Sequence, residues 1–249
     1  MNEVAIITGS SGGIGSALVK RYLDEDFVVI GLDRTSSKVL VSENFVELNI
    51  DLLEFSKDIN YQKCILSEIK AILPKTMTNL VLINNAAEQI LKNVEDITWQ
   101  DWEDSLAVNT VAPFFLAQGL IKELEACHGH IVNISSIHAK LTKAKFTCYA
   151  ASKAAIEAVT RSLALELSPI GISVNAIAPA AISTEMLKAG FKEAPEKLRG
   201  LEHFHPSQSI GTPDQISSFI KAITDQRGGF LTGTVLEFNG AISARLYGP

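Results

Sequence analysis

Residues 3–26 read EVAIITGSSGGIGSALVKRYLDED, and the fold follows from this stretch. Its opening, EVAIIT at 3–8, is a short apolar run of the kind seen in a strand covered on both faces of a parallel sheet. A glycine cluster follows, and then Ile14, Leu18, Tyr22 and Leu23 recur at helical spacing. Strand, glycine turn and helix together make a seat for a phosphate. Glycine allows close backbone approach, and the first helical N–H groups are unpaired at the positive end of the dipole. Gly9, Gly13 and Gly15 are the key positions. Their spacing, G-x3-G-x-G, departs from the G-x-G-x-x-G dinucleotide fingerprint.

Outward from this unit, strands and helices alternate. FVVIGL at 27–32 reads as the second strand and ends at Asp33. A carboxylate there accepts hydrogen bonds from an adenosine ribose and repels a 2′-phosphate, which points to NAD over NADP. Arg34, whose guanidinium could reach a phosphate, keeps NADP as the alternative. NFVEL at 44–48 reads as strand three, and Asp51-Leu52 opens an amphipathic helix over 53–72. LVLI at 80–83 is strand four. It runs into Asn84-Asn85-Ala86-Ala87, where amides can bond to backbone and small side chains leave room for a ligand.

Thr98–Asp101 resembles a capping box and starts a helix to about Ala126. Pro113 lies inside it and lacks the N–H that the Asn109 carbonyl would bond. That carbonyl is expected to face the active site and hold a water near Lys153. HIVNIS at 130–135 reads as strand five, delivering Ser136 at the sheet edge where ligands bind. A helix over 147–167, with an alanine-rich face for a sheet or another subunit, and strand six at 172–179 follow. An irregular connection then reaches about Thr212, and residues 180–212 are expected to form a substrate-binding loop or lid. A helix over 213–223 and a seventh strand at 234–238 complete the pattern. The expectation is one α/β domain over 1–249, a Rossmann-like doubly wound parallel sheet of order 3-2-1-4-5-6-7.

The chemistry concentrates after strand five. Tyr149 and Lys153 stand four residues apart and share one helical face. A free phenol, with a pKa of ~10, is too weak an acid for proton transfer near neutrality, and a neighbouring ammonium favours its phenolate. The pair therefore reads as a proton-transfer group with its pKa lowered.

Composition bounds the partners. The chain has 249 residues and a formal charge of −6, with no basic block to attract nucleic acid or an anionic membrane. Cys64, Cys127 and Cys148 are odd in number and lack metal-ligand spacing, and His203 with His205 makes no metal site. No apolar run approaches the ~20 residues that span a bilayer. A soluble, cytoplasmic protein with no metal is expected.

Taken together, TGSSGGIG, NNAA, Asn109, Ser136 and the Tyr149-x3-Lys153 pair resemble the short-chain dehydrogenase/reductase superfamily over essentially the whole chain. The resemblance implies that Tyr149 is the general acid/base and that Ser136 steadies the substrate oxygen. It implies that Lys153 binds the nicotinamide ribose and that Asn109 positions a water. It extends the cofactor contacts to Ser11 and Ile14 in the glycine turn, Asp51, Leu52, Asn85 and Ala86 near the adenine and its ribose, and Ile182 and Thr184 near the nicotinamide. A homotetramer is the family's usual assembly. Ala87, Ala180 and Asn239-Gly240-Ala241 depart from the family's common glycine and Asp-Gly-Gly pattern. Polar candidates around the pocket (Glu88, Gln89, His138, Lys140, Glu185, His203) lean towards a sugar or polyol as the secondary alcohol oxidised to a ketone. The rivals are an NADP-dependent carbonyl reductase and a non-catalytic dinucleotide-binding regulator.

Overall fold

The computed structural model describes residues 2–35, 42–185, 187, 191, 195–226 and 229–245. Seven strands form one parallel sheet in the order β3-β2-β1-β4-β5-β6-β7. They are β1 Glu3–Thr8, β2 Val28–Asp33, β3 Phe45–Asn49, β4 Asn79–Asn84, β5 His130–Ile134, β6 Ser173–Pro179 and β7 Val235–Phe238. The strand order reverses between β1 and β4, so their C-terminal ends border a crevice.

Side-chain alternation along β1 explains why both faces need covering. Val4 and Ile6 enter one apolar cluster, Ala5 and Ile7 the other, and all four are fully buried. On the first face lie α2 (Leu52–Lys57), α3 (Ile59–Ile72), α5 (Ala112–Gly119) and α7 (Thr147–Leu167). On the second lie α1 (Gly13–Leu23) and the late helix that spans Pro213–Thr224.

Three helical expectations are corrected. The segment over 53–72 is two helices, because Asp58 turns extended and its carboxylate accepts from the N–H groups of Asn60 and Tyr61, at 2.7 and 3.2 Å. The helix opened by Thr98 is also segmented. It runs as α4 (Trp99–Leu106), a wide π turn over Ala107–Val111, α5, and α6 (Ile121–Glu125). The Ala112 N–H reaches back to the Ala107 carbonyl, five residues earlier, just ahead of Pro113. Finally, the connection read as irregular contains a ten-residue helix, α8 (Pro195–Phe204). The helix over Pro213–Thr224 is then α9, opened by a Thr212–Gln215 capping box.

Candidate active site

The glycine turn and α1 form the floor of the crevice. Gly9 has φ of +65°, which favours glycine, and a side-chain carbon at Gly15 would lie 1.9 Å from the Gly9 carbonyl oxygen. A carbon at Gly13 would lie 2.7 Å from the Thr184 side chain, so the structure brings Thr184 against this turn. No side chain caps the start of α1. Ile14, by contrast, is half-buried and packs on the second-face core. Ile182, also buried, pairs with Gly211 in an isolated parallel bridge.

Asp33 closes one side of the floor. Its Oδ2 accepts from the Ser11 N–H (2.9 Å) and hydroxyl (2.7 Å). Its Oδ1 accepts from the Thr35 N–H (3.1 Å) and hydroxyl (3.2 Å). Partial burial works against ionisation here, but these four bonds outweigh it and hold the carboxyl below its ordinary range. The neighbouring Arg34 guanidinium lies 3.7 Å from Glu88. Asp51 caps α2, accepting from the Leu53 N–H at 2.8 Å, and Leu52 is buried. The Ile50 N–H donates to the Asp33 carbonyl and sets this corner beside β2.

Asn85 and Ala86 are fixed from β1. The Thr8 hydroxyl accepts from both of their N–H groups, at 2.9 and 3.0 Å. The Asn85 amide donates to the carbonyls of Thr8 and Gly9. Neighbouring Asn84 lies on the face beneath α7 and donates to Asn133, which donates to Thr160 on that helix. The two adjacent asparagines thus serve opposite sides of the strand end.

The other wall carries the Ser-Tyr-Lys group. Ser136 is close enough to the Tyr149 phenol to favour its ionised form, and the Ser136 oxygen accepts from the His138 N–H at 3.2 Å. Lys153 Nζ lies 5.6 Å from the centre of the Tyr149 ring and donates to the Ile134 carbonyl at 2.7 Å. The expectation of a lowered phenol is not met by the chain alone. Burial raises the Tyr149 pKa, and the nearby Ser136 hydroxyl only partly offsets it. Burial also pushes the Lys153 ammonium down to about 8.

Asn109 sits in the wide turn and is buried. Its Oδ1 accepts from the Glu88 N–H (2.7 Å), and its Nδ2 donates to the Glu88 carbonyl (2.9 Å) and to Ser152 Oγ (2.9 Å). Ser152 in turn donates to the Tyr149 carbonyl at 2.8 Å. Sequence reading missed Ser152 and Thr8 as site supports. Ser152 stands one position before Lys153 on a buried helical face, a signal too weak to separate from packing. Ser135, one residue from Ser136, turns the other way and donates to buried Glu157 at 2.9 Å.

Several pocket candidates have other occupations. His138 stacks on Phe146 with ring centres 4.1 Å apart, and burial together with the Lys143 charge pushes it down to about 4. Lys140 pairs with Glu237 at 2.9 Å, and His203 bonds the Arg199 carbonyl. Among the described residues, no three His, Cys, Asp or Glu side chains gather as a metal site. No helix among them is long and apolar enough to cross a membrane.

The glycine floor, uncapped helix start and bonded carboxylate fit a dinucleotide. Comparisons with known proteins agree. The chain is 32% identical over 245 residues to the (2S)-[(R)-hydroxy(phenyl)methyl]succinyl-CoA dehydrogenase subunit BbsD of Thauera aromatica, covering 97% of each chain. It is 28% identical to an NAD-dependent glycerol dehydrogenase of Listeria innocua, covering 98% of this chain and 95% of that one. The ligand-free aldohexose dehydrogenase of Thermoplasma acidophilum superposes with a TM-score of 0.86 at 26% identity, over 100% of this chain and 97% of that one. Residues 3–195 match the short chain dehydrogenase family. The chain belongs to the short-chain dehydrogenase/reductase superfamily, the oxidoreductases that use a nicotinamide dinucleotide.

Proposed function

We propose that this protein is an NAD-dependent dehydrogenase that interconverts a secondary alcohol and a ketone on a small hydroxylated molecule, a sugar or polyol. The observation that carries the reading is the Tyr149 phenol with Ser136 acting on it and Lys153 Nζ 5.6 Å from the centre of the same ring, on the wall facing a dinucleotide floor. When bound, the oxidised dinucleotide supplies the hydride acceptor and a second positive charge near the phenol. Tyr149 takes the substrate hydroxyl proton in oxidation and returns it in reduction. Ser136 donates to the substrate oxygen as charge develops there. Lys153 holds the nicotinamide ribose and favours the phenolate, and the Asn109 carbonyl holds a water that passes the proton onward.

Gly9, Ser11, Gly13, Ile14 and Gly15 line the pyrophosphate seat. Asp33, Asp51, Leu52, Asn85 and Ala86 border the adenosine, and Ile182 and Thr184 border the nicotinamide. NAD over NADP is supported by the charged Asp33 carboxylate and by Arg34 lying against Glu88. The polyol reading draws on the names of two similar proteins, one acting on glycerol and one on an aldohexose. Residues 180–212, of which 186, 188–190 and 192–194 lie outside the described residues, are assigned as the substrate loop, and a cytoplasmic homotetramer is the expected assembly. Screening sugars and polyols with NAD, following reduced-nicotinamide absorbance, tests the reading. Turnover of at least one polyol supports it; activity confined to NADPH and carbonyls overturns it.

A further inference from the structure

Asp33, Arg34 and Glu88 meet where the ends of β2 and β4 border the crevice, and they are not equally free. Asp33 is locked by four hydrogen bonds from Ser11 and Thr35. Glu88 looks at first like a loose surface acid, yet Asn109 grips its N–H at 2.7 Å and its carbonyl at 2.9 Å. The backbone of Glu88 is therefore held from a buried residue in the wide turn, which fixes the point from which its side chain extends. The Arg34 guanidinium reaches across to it, at 3.7 Å.

An exposed ion pair normally contributes little to stability, because two long side chains must be ordered in high-dielectric surroundings. This pair matters instead for where it keeps a charge. Arg34 follows the carboxylate that would accept a ribose hydroxyl, so it is the cation nearest in sequence to a 2′-phosphate. A phosphate monoester carries about two negative charges at neutral pH and takes charge-assisted, bidentate bonds from arginine. Asp33 and Glu88 together outnumber Arg34 by one charge. We propose that Glu88 is a specificity-determining residue: it engages the Arg34 guanidinium and so denies NADP its cation. This inference rests on the NAD reading above.

The test is equilibrium binding of NADH and NADPH, read by nicotinamide fluorescence, to the wild-type chain, E88Q, R34A and the E88Q/R34A double variant. Glutamine keeps the backbone grip that Asn109 makes and removes only the charge. E88Q is expected to bind NADPH about tenfold more tightly than wild type, a change typical of gaining a charge-assisted bond. Its NADH affinity should stay within about threefold, which also reports an intact fold. The gain should vanish in the double variant. A wild-type chain that binds NADPH at least as tightly as NADH would sink the NAD reading itself. A wild type that prefers NADH, with no NADPH gain in E88Q or with a gain that survives loss of Arg34, would overturn the role of Glu88 alone.

Discussion

At the residue scale, Tyr149 and Lys153 show what a four-residue spacing can and cannot say. Their shared face was legible, because helical periodicity alone puts them together. Their electrostatics were not, because burial depends on the whole sheet. Tyr149→Phe should retain fold and NADH affinity while losing about 10²–10⁴-fold in turnover, the range for a positioned proton-transfer group. Steady-state kinetics beside NADH titration checks this, and near-normal turnover would remove Tyr149 from the chemistry. Lys153 gives a prediction for the cofactor-free protein. Its folded pKa of about 8 lies below the value of 10.5 for an exposed lysine, so between these the unfolded chain binds the extra proton. Stability should therefore rise with pH across that window, by roughly 3 kcal/mol relative to Lys153→Met. Denaturant unfolding of both proteins from pH 7 to 10.5 measures it; parallel pH profiles would contradict the buried ammonium.

At the scale of elements, most boundaries were readable within a residue or two, since the buried strands are continuous apolar runs and α7 begins and ends where periodicity says. The misses have local causes. Asp58 broke a helix whose amphipathic spacing continues across the break, so periodicity hid the cap. Pro113 signalled a disturbance, but lack of one N–H cannot tell a kink from a widened turn; that choice is made by what Asn109 bonds. The glycine turn gives the sharpest prediction. Gly15→Ala would force a carbon to 1.9 Å from the Gly9 oxygen and 2.8 Å from its carbonyl carbon, so backbone must move. NADH affinity should fall more than about tenfold with far-UV circular dichroism preserved, because the loop rather than the sheet yields. Unchanged affinity would show that this turn does not seat the cofactor.

Across the whole molecule, the strand order was legible because alternating strands and helices leave few right-handed ways to wind. Contacts between distant helices were not. Lys221 on α9 is almost wholly buried yet bonds Glu25 at 2.8 Å and Asp225 at 2.5 Å, over the Phe27 ring at 5.0 Å. It ties the last helix to the turn after α1, with the buried Tyr22–Thr224 bond beside it. Lys221→Met keeps the apolar stem and loses both charged bonds. The two carboxylates are half-exposed and can rehydrate, so the cost should be about 2 kcal/mol rather than that of a fully buried pair. Chemical denaturation measures this, and a neutral result would make the cluster decorative.

The wide turn at 107–111 has a consequence for the gene. A π turn is a helix carrying one surplus residue, and the wider turn takes it up so that the angular phase downstream is kept. Striking out a single codon there would tighten the coil to an ordinary α turn and leave Phe114, Phe115 and the rest of α5 at the angle they now hold. The loss would fall on the bulge alone, where Asn109 reaches Glu88 and Ser152, and the two walls of the crevice would lose their tie while keeping their packing.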